Sequence, residues 1–418
     1  MLNTIESFDQ KKIDFNSFDI KLVLPSLILF AFYFSEFISK YLKFSNFDFT
    51  RVSGVVKLLV EIFLCGYIFI YKKEFSKQLL KGIVLFTMFY ILGQFFLLKE
   101  SFLNRLVLNL YTLNSYVFVF ILYYAFKPIN KTDRIIAKKQ LSYLDTTIKG
   151  IFIINAFAIL IGFIFNLDLF KTYIGFSNRF GYNGLFLHAS HSSYIYIILI
   201  MYFFASYLNK KTNINFIFLL CSIVFSFMIG TKTIYLFNLL FLLYLLYTSV
   251  KRIYALFILF AIGIFIMFTY SFGIQIFKDN FYVLHKVYQN HGILTMLFSY
   301  RDINVTDGFV PYIHKNWSVI NYIFGGAEFN NFRTEIEIVD LYWFLGFLGT
   351  FIYLKIFYNK ILSELLRIKK LRFPMIAFLL CGLLSGSFFT NVPILPYLII
   401  FYYAVTISFY QNSIQKQL

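Results

Sequence analysis

The chain has 418 residues, of which 60% are hydrophobic and only 14% charged, with a mean hydropathy of +0.73. A soluble chain of this length folds as two or three domains and needs far more charge to cover its surface, so a water-soluble globular protein is excluded. The formal charge of +18 invites a nucleic-acid reading, but the lysines and arginines lie in segments between apolar runs and form no continuous basic face.

The N-terminal stretch MLNTIESFDQKKIDFNSFDIK is polar, mixed in charge and without an apolar h-region, so no cleavable signal peptide is expected. Apolar runs of roughly 17–22 residues then recur, a length matched to the hydrocarbon core of a bilayer. They predict an all-α polytopic membrane protein with about twelve spanning helices, at about 22–40, 55–71, 82–98, 106–126, 150–170, 193–208, 214–230, 233–250, 253–271, 338–358, 374–389 and 397–410. Glycines inside the runs, such as Gly162, Gly346 and Gly349, permit close helix packing. Cys65, Cys221 and Cys381 each fall within an apolar run and read as small buried hydrophobes, with no disulfide framework or Cys-x-x-Cys site. Residues 1–418 read as one multi-pass domain.

Orientation follows from the basic residues. With a cytoplasmic N-terminus, one side receives Lys72, Lys73, Lys77 and Lys81, then the run from Lys127 to Lys149, then Lys210, Lys211, Lys251, Arg252, Lys360 and the cluster from Arg367 to Arg372. Roughly two-thirds of all basic residues then lie inside, as the positive-inside rule requires, and both termini are cytoplasmic. Three segments fall outside: residues 171–192, the tight turn Gly230-Thr231-Lys232, and residues 272–337, the only loop large enough to fold on its own.

The outer segments hold the residues suited to chemistry. Arg179 precedes Gly181 and Gly184 in the first loop, and a guanidinium is the natural partner of a phosphate because its planar fork donates two charge-assisted hydrogen bonds at once; an arginine here also suits snorkelling to lipid headgroups. His188-x-x-His191 has the helical spacing of metal ligands without a third ligand nearby, so a base or an interfacial histidine fits better and no metal is assigned. In the long loop stand Arg301 within Ser-Tyr-Arg-Asp, Trp317, and Gly325-Gly326. Glu337 and Asp340, three apart at the start of the tenth predicted span, share one helix face and either line a polar cavity or cap the helix. Glu36, Lys57 and Glu61, inside the first two spans, default to structural roles, Lys57 and Glu61 neutralising each other across one turn. No phosphate-binding loop, nucleophile elbow, zinc-protease or dinucleotide motif is present, so any chemistry outside must use a substrate that is already activated.

At these residues the sequence resembles the Wzy-type O-antigen and capsular polysaccharide polymerases, relatives of the O-antigen ligases. Arg179-Phe-Gly-Tyr-Asn-Gly with the serine-rich start of the sixth span looks like the family's first Arg-Gly loop, and Met228-Ile-Gly-Thr-Lys-Thr-Ile-Tyr like its turn between two helices. Ser299-Tyr-Arg301-Asp, Phe324-Gly-Gly, Glu337-Ile-Val-Asp340 and the Gly346/Gly349 helix resemble the long-loop signature. The likeness covers about residues 170–358, and acids stand where ligases usually show a histidine, which favours a polymerase.

The resemblance implies a GT-C-like membrane glycosyltransferase that joins undecaprenyl-diphosphate-linked oligosaccharide repeat units at the outer face of the cytoplasmic membrane. It also implies no metal or cofactor, and a chain-length regulator as a possible protein partner. Arg179 and Arg301 would hold the diphosphate, with Lys232 as a supporting cation, Trp317 in the substrate site, and Glu337, Asp340 or His188 as base. The alternatives are a ligase-type transferase and a lipid-linked oligosaccharide flippase.

Overall fold

The computed structural model describes residues 20–47, 52–98, 102–127, 131–174, 179–249, 282–327 and 333–415. Among these residues the regular structure is helical, apart from one isolated bridge between Lys171 and Tyr182. The long helices are α1 (Ile20–Phe44), α2 (Val52–Tyr71), α3 (Lys73–Phe95), α4 (Phe102–Phe126), α5 (Lys131–Ile164), α6 (Ala189–Asn209), α7 (Asn213–Phe227) and α8 (Lys232–Ser249). They are followed by α9 (Tyr282–Phe298), the short α10 (Val310–Asn316) and α11 (Val319–Phe324), then α12 (Glu337–Phe357), α13 (Lys369–Ser385) and α14 (Ile394–Gln415).

Six of the described helical segments are long and apolar enough to cross a membrane: Leu22–Phe44, Val52–Tyr71, Lys73–Phe95, Ile136–Ile164, Ala189–Asn209 and Glu337–Arg367. Asn213–Phe227, Lys232–Thr248 and Ile394–Phe409 are shorter apolar helices. The predicted span at 253–271, and the start of the long loop after it, lie outside the described residues.

Helix α2 shows why the chain belongs in lipid. Its charged residues face inward: Lys57 and Glu61 are buried against α4, where Lys57 donates to Ser115 Oγ at 3.3 Å and Glu61 accepts from Asn114 Nδ2 at 2.8 Å. Its large apolar residues face outward, with Leu59 64% and Ile62 72% exposed. Water would reverse that pattern, because an exposed isoleucine and a buried lysine are both unfavourable in a soluble fold; a hydrocarbon solvent enforces it.

The same logic orders the bundle from centre to rim. Helix α6 has 78% of its span buried, against 22% for α2, so α6 is central and α2 peripheral. A helix apolar on every side is a buried helix. Against α6 pack α7, α8 and α14, while α14 also contacts α4 and α5, and α1 packs on α5 and α2.

Several boundaries move from the sequence expectation. A single residue, Lys72, separates α2 from α3, its ammonium donating to the Ala125 and Lys127 carbonyls at 2.7 and 2.6 Å. Most of the basic segment predicted as a loop before 150 is the first half of α5. Helix α13 stops at Ser385 because Gly386 takes φ +70° with Glu335 backbone against it.

The described part of the long loop forms helices docked on the bundle. Gly93 of α3 lies so close to the α11 end that a Cβ there would stand 2.6 Å from the Phe324 carbonyl oxygen. At Gly346, φ +67° breaks α12, and an added Cβ would meet the Gly325 nitrogen at 2.3 Å. Gly325-Gly326 and Gly346 are therefore paired by close backbone contact, and Gly326 N–H donates to the Trp343 carbonyl at 2.9 Å.

Candidate functional site

The first loop and the Gly230 turn are locked together by two glycines. Beyond α5 the chain makes a single helical turn at Asp168–Phe170 and folds back so that Thr172 N–H donates to the Gly181 carbonyl at 2.9 Å. Gly181 (φ +150°) and Gly230 (φ +75°) then cross: a Cβ on Gly181 would lie 2.4 Å from the Ile229 oxygen, and one on Gly230 would lie 2.2 Å from the Phe180 oxygen. No side chain fits there, and the left-handed region suits glycine. Tyr182 N–H donates to the Met228 carbonyl at 2.6 Å, and Thr172 Oγ1 to the Ile229 carbonyl at 2.8 Å. That crossing brings the segment of Arg179 against the turn that leads into Lys232 at the start of α8.

The long loop supplies the third cation. Lys232 Nζ donates to the Met296 carbonyl and, at 2.9 Å, to Ser299 Oγ. Ser299 and Tyr300 follow with φ of +55° and +69°, two successive left-handed non-glycine residues that reverse the chain into Arg301. Each costs about 1–2 kcal/mol, and such strain is retained where a fold fixes a functional group. Asp302 closes the turn by accepting from Thr295 Oγ1 at 2.5 Å.

Arg179, Lys232 and Arg301 thus converge from three segments far apart in the chain. Lys232 lies within the electrostatic reach of both arginines. The Arg179 guanidinium stacks over the Tyr173 ring with its central carbon 4.6 Å from the centroid. Burial raises the Tyr173 phenol above its ordinary pKa, although both Arg179 and Arg301 pull it down. Arg301 Nε lies 3.5 Å from Glu335 Oε2, an ion contact without hydrogen-bond geometry, so this buried N–H has no acceptor. The three cations therefore share this corner with one carboxylate, Glu335, and leave one arginine N–H without an acceptor.

The two acids are placed otherwise. Glu337 and Asp340 begin α12 on one buried face, as their spacing predicts, yet neither caps the helix, whose N-cap position, Ile336, has no side-chain hydrogen bond. Asp340 Oδ1 accepts from Thr334 N–H at 2.9 Å and Thr334 Oγ1 at 2.7 Å. Glu337 Oε2 accepts from Phe388 N–H at 2.6 Å, and its Oε1 is buried without a partner. Both acids sense Arg333, which donates to Thr390 Oγ1 at 3.2 Å and Thr112 Oγ1 at 3.3 Å. The acids therefore tie the end of the long loop to the α13–α14 turn.

His188 and His191 sit at the mouth of α6, their rings edge to face with centroids 4.8 Å apart. His191 Nδ1 lies 2.6 Å from Glu36 Oε2, which also accepts Leu187 N–H at 3.2 Å. Lys40, one turn further along α1, donates to Asn183 Oδ1 at 2.5 Å and the Gly184 carbonyl at 2.7 Å. Among the described residues no group of three metal-ligating side chains forms. Trp317 is buried, donates Nε1–H to the Gly326 carbonyl at 2.8 Å and packs on Phe309, Tyr322 and Tyr342, which makes it a brace for the Gly325-Gly326 contact.

Helix α6 connects these groups. Ser193 Oγ lies 2.6 Å from Thr231 Oγ1, beside Lys232. Tyr194 Oη lies 2.5 Å from Ser385 Oγ and donates to the Gly386 carbonyl at 3.2 Å, within the field of Arg301 and Glu337. The cations, the acids and the histidines accordingly gather at one end of the bundle. An apolar groove of about 260 Å³, walled by Leu79, Phe86, Phe120 and Tyr124 between α3 and α4, meets none of them. No family model, curated protein or solved structure matches the chain.

Sequence reading passed over Arg333 and the turn 386–392, and it treated Glu36 as structural. Arg333 carries no motif of its own. The i,i+4 pair Glu36 and Lys40 inside an apolar span was the one available signal, since intramembrane charges are retained for a reason.

Proposed function

We propose that this protein polymerises lipid-linked oligosaccharide repeat units at the outer face of a bacterial cytoplasmic membrane, using a polyprenyl (undecaprenyl) diphosphate as leaving group. The observation that carries the reading is the convergence of Arg179, Lys232 and Arg301, with one arginine N–H left without an acceptor. In this reading the chain spans the membrane twelve times, both termini are cytoplasmic, and the cationic end faces outward.

The chemistry follows from the charges. A sugar diphosphate is already activated, so neither nucleotide nor ATP is needed outside. As the glycosidic bond to phosphate breaks, negative charge builds on the diphosphate oxygens, and three preorganised cations stabilise it most where it is greatest. Guanidiniums match a diphosphate better than ammoniums because each offers two parallel donors. The acceptor is a hydroxyl of a second lipid-linked unit. A chain-length regulator fits as a protein partner.

The decisive experiment is purified full-length protein in proteoliposomes with a synthetic lipid-linked repeat unit. Wild type is expected to build a ladder of chain lengths, and Arg301→Ala, at equal abundance, to leave single units on the lipid. Normal ladders from stably folded Arg301→Ala protein would end the assignment of that residue. Units trapped on the cytoplasmic leaflet of cells lacking the protein would point to a flippase, and a capped single unit on the cell surface to a polymerase.

A further inference from the structure

We infer that His191, held by Glu36, is the base that accepts the proton of the acceptor sugar hydroxyl, an inference that rests on the polymerase reading above. The Glu36 carboxylate is almost wholly buried in α1, and it accepts both Leu187 N–H and the His191 ring at 2.6 Å. A carboxylate only accepts, so the Nδ1 facing it carries the hydrogen and Nε2, across the ring, keeps its lone pair. This is the arrangement in which a fixed carboxylate selects the tautomer and stabilises the imidazolium once it forms.

Position supports the role. The His191 side chain is 12% exposed, dry enough to be oriented and open enough to meet a substrate. Two residues on, Ser193 pairs with Thr231 beside Lys232, and three residues on, Tyr194 stands in the field of Arg301. The dyad therefore lies at the same level of α6 as the groups that meet the cations. Glu337 and Asp340, by contrast, are buried behind the Phe388 and Thr334 amides and hold the scaffold. His188 packs edge-on against His191 without a carboxylate of its own.

The step balances simply. The acceptor hydroxyl oxygen bonds to the anomeric carbon of the donor sugar, and the bond from that carbon to the diphosphate oxygen breaks with its electron pair leaving on the diphosphate. The hydroxyl proton passes to His191 Nε2, and the imidazolium, paired with Glu36, later releases it to water. The charged and titratable groups recorded around the dyad are Lys40 and Lys43 on α1, His188 beside α6 and the Tyr397 phenol on α14.

The test uses full-length protein in proteoliposomes with the synthetic lipid-linked unit, over a pH series. His191→Ala is expected to lower kcat about 10²- to 10³-fold while KM changes little, and to abolish the acidic limb of the rate profile. Glu36→Gln is expected to move that limb to lower pH, because the imidazolium loses its counter-charge. Folding is checked by thermal melting, and if His191→Ala does not fold, the shift in Glu36→Gln decides. Wild-type kcat or an unchanged acidic limb in folded His191→Ala protein, or an unmoved limb in folded Glu36→Gln protein, would overturn the inference alone. A wild-type protein that never joins two units would overturn the polymerase reading and this inference with it.

Discussion

Replacing Gly230 by alanine would separate two of the three cations without touching either. The new Cβ would start 2.2 Å from the Phe180 oxygen and 2.8 Å from the Gly181 Cα. Ordinary van der Waals contact begins near 3.4 Å, so the two backbone segments must part by about 1 Å. The φ of +75° adds about 1–2 kcal/mol of left-handed strain for any residue with a Cβ. Nothing flexible is available to yield, because both neighbours are backbone, held by the Tyr182 to Met228 and Thr172 to Ile229 hydrogen bonds. Lys232 would then shift relative to Arg179, and a 1 Å misplacement in a preorganised site costs about 10²-fold in rate. Gly66→Ala is the control: it lies within α2 with nothing inside 4 Å, so it should be neutral or stabilise by up to about 1 kcal/mol. Both variants are purified, their melting temperatures compared, and chain formation measured per folded molecule. Full activity in Gly230→Ala would refute the reasoning that this crossing sets the spacing of the cations.

Other outcomes follow from the same geometry. Trp317→Phe removes the 2.8 Å bond to the Gly326 carbonyl and leaves that acceptor buried, so the melting curve should show a loss of about 1–3 kcal/mol. Gly346→Ala drives a Cβ to 2.3 Å from the Gly325 nitrogen in a residue with φ +67°, and little folded protein should be recovered on size-exclusion chromatography. Partial desolvation, and then the like charge of His191, hold His188 below its ordinary pKa. The unfolded chain takes up this proton first as pH falls below about 6.5, so the contribution is fully present above that value and lost on acidification toward the folded pKa. The ring is exposed, so the loss is about 1 kcal/mol or less, read as the difference between wild type and His188→Asn in melts across the acid range.

The helical class was legible because lipid acts on the sequence one residue at a time: runs of apolar side chains long enough for a bilayer stand out against Lys-rich breaks. Junctions were harder. A helix can continue through a basic segment when its lysines reach water, as in the first half of α5, and hydropathy then marks the edge of the apolar core and misses the end of the helix. The break at Gly346 was invisible for a related reason. Its glycine read as a packing residue, and only the partner glycine at 325 shows that a backbone crossing is what demanded it.

For the site, the three cations could be picked out singly by their loops, but their convergence depended on where Gly181 and Gly230 cross. The acids were found by spacing, which puts Glu337 and Asp340 on one face; the fold adds that the Phe388 amide donates to Glu337 and the Thr334 amide to Asp340. Glu36 was harder to read. A carboxylate in an apolar span offers no pattern that separates a structural ion from a functional one, because the deciding partner, His191, lies more than a hundred residues along the chain. Burying a carboxylate is costly unless its partners are fixed, and here they are a backbone amide and a histidine at a helix mouth. A purely structural ion would be served as well by Lys40, which sits one turn away on the same helix and instead holds the 183–184 backbone. That division of partners, the lysine to the loop and the carboxylate to the imidazole, is what the proposed base role of His191 accounts for.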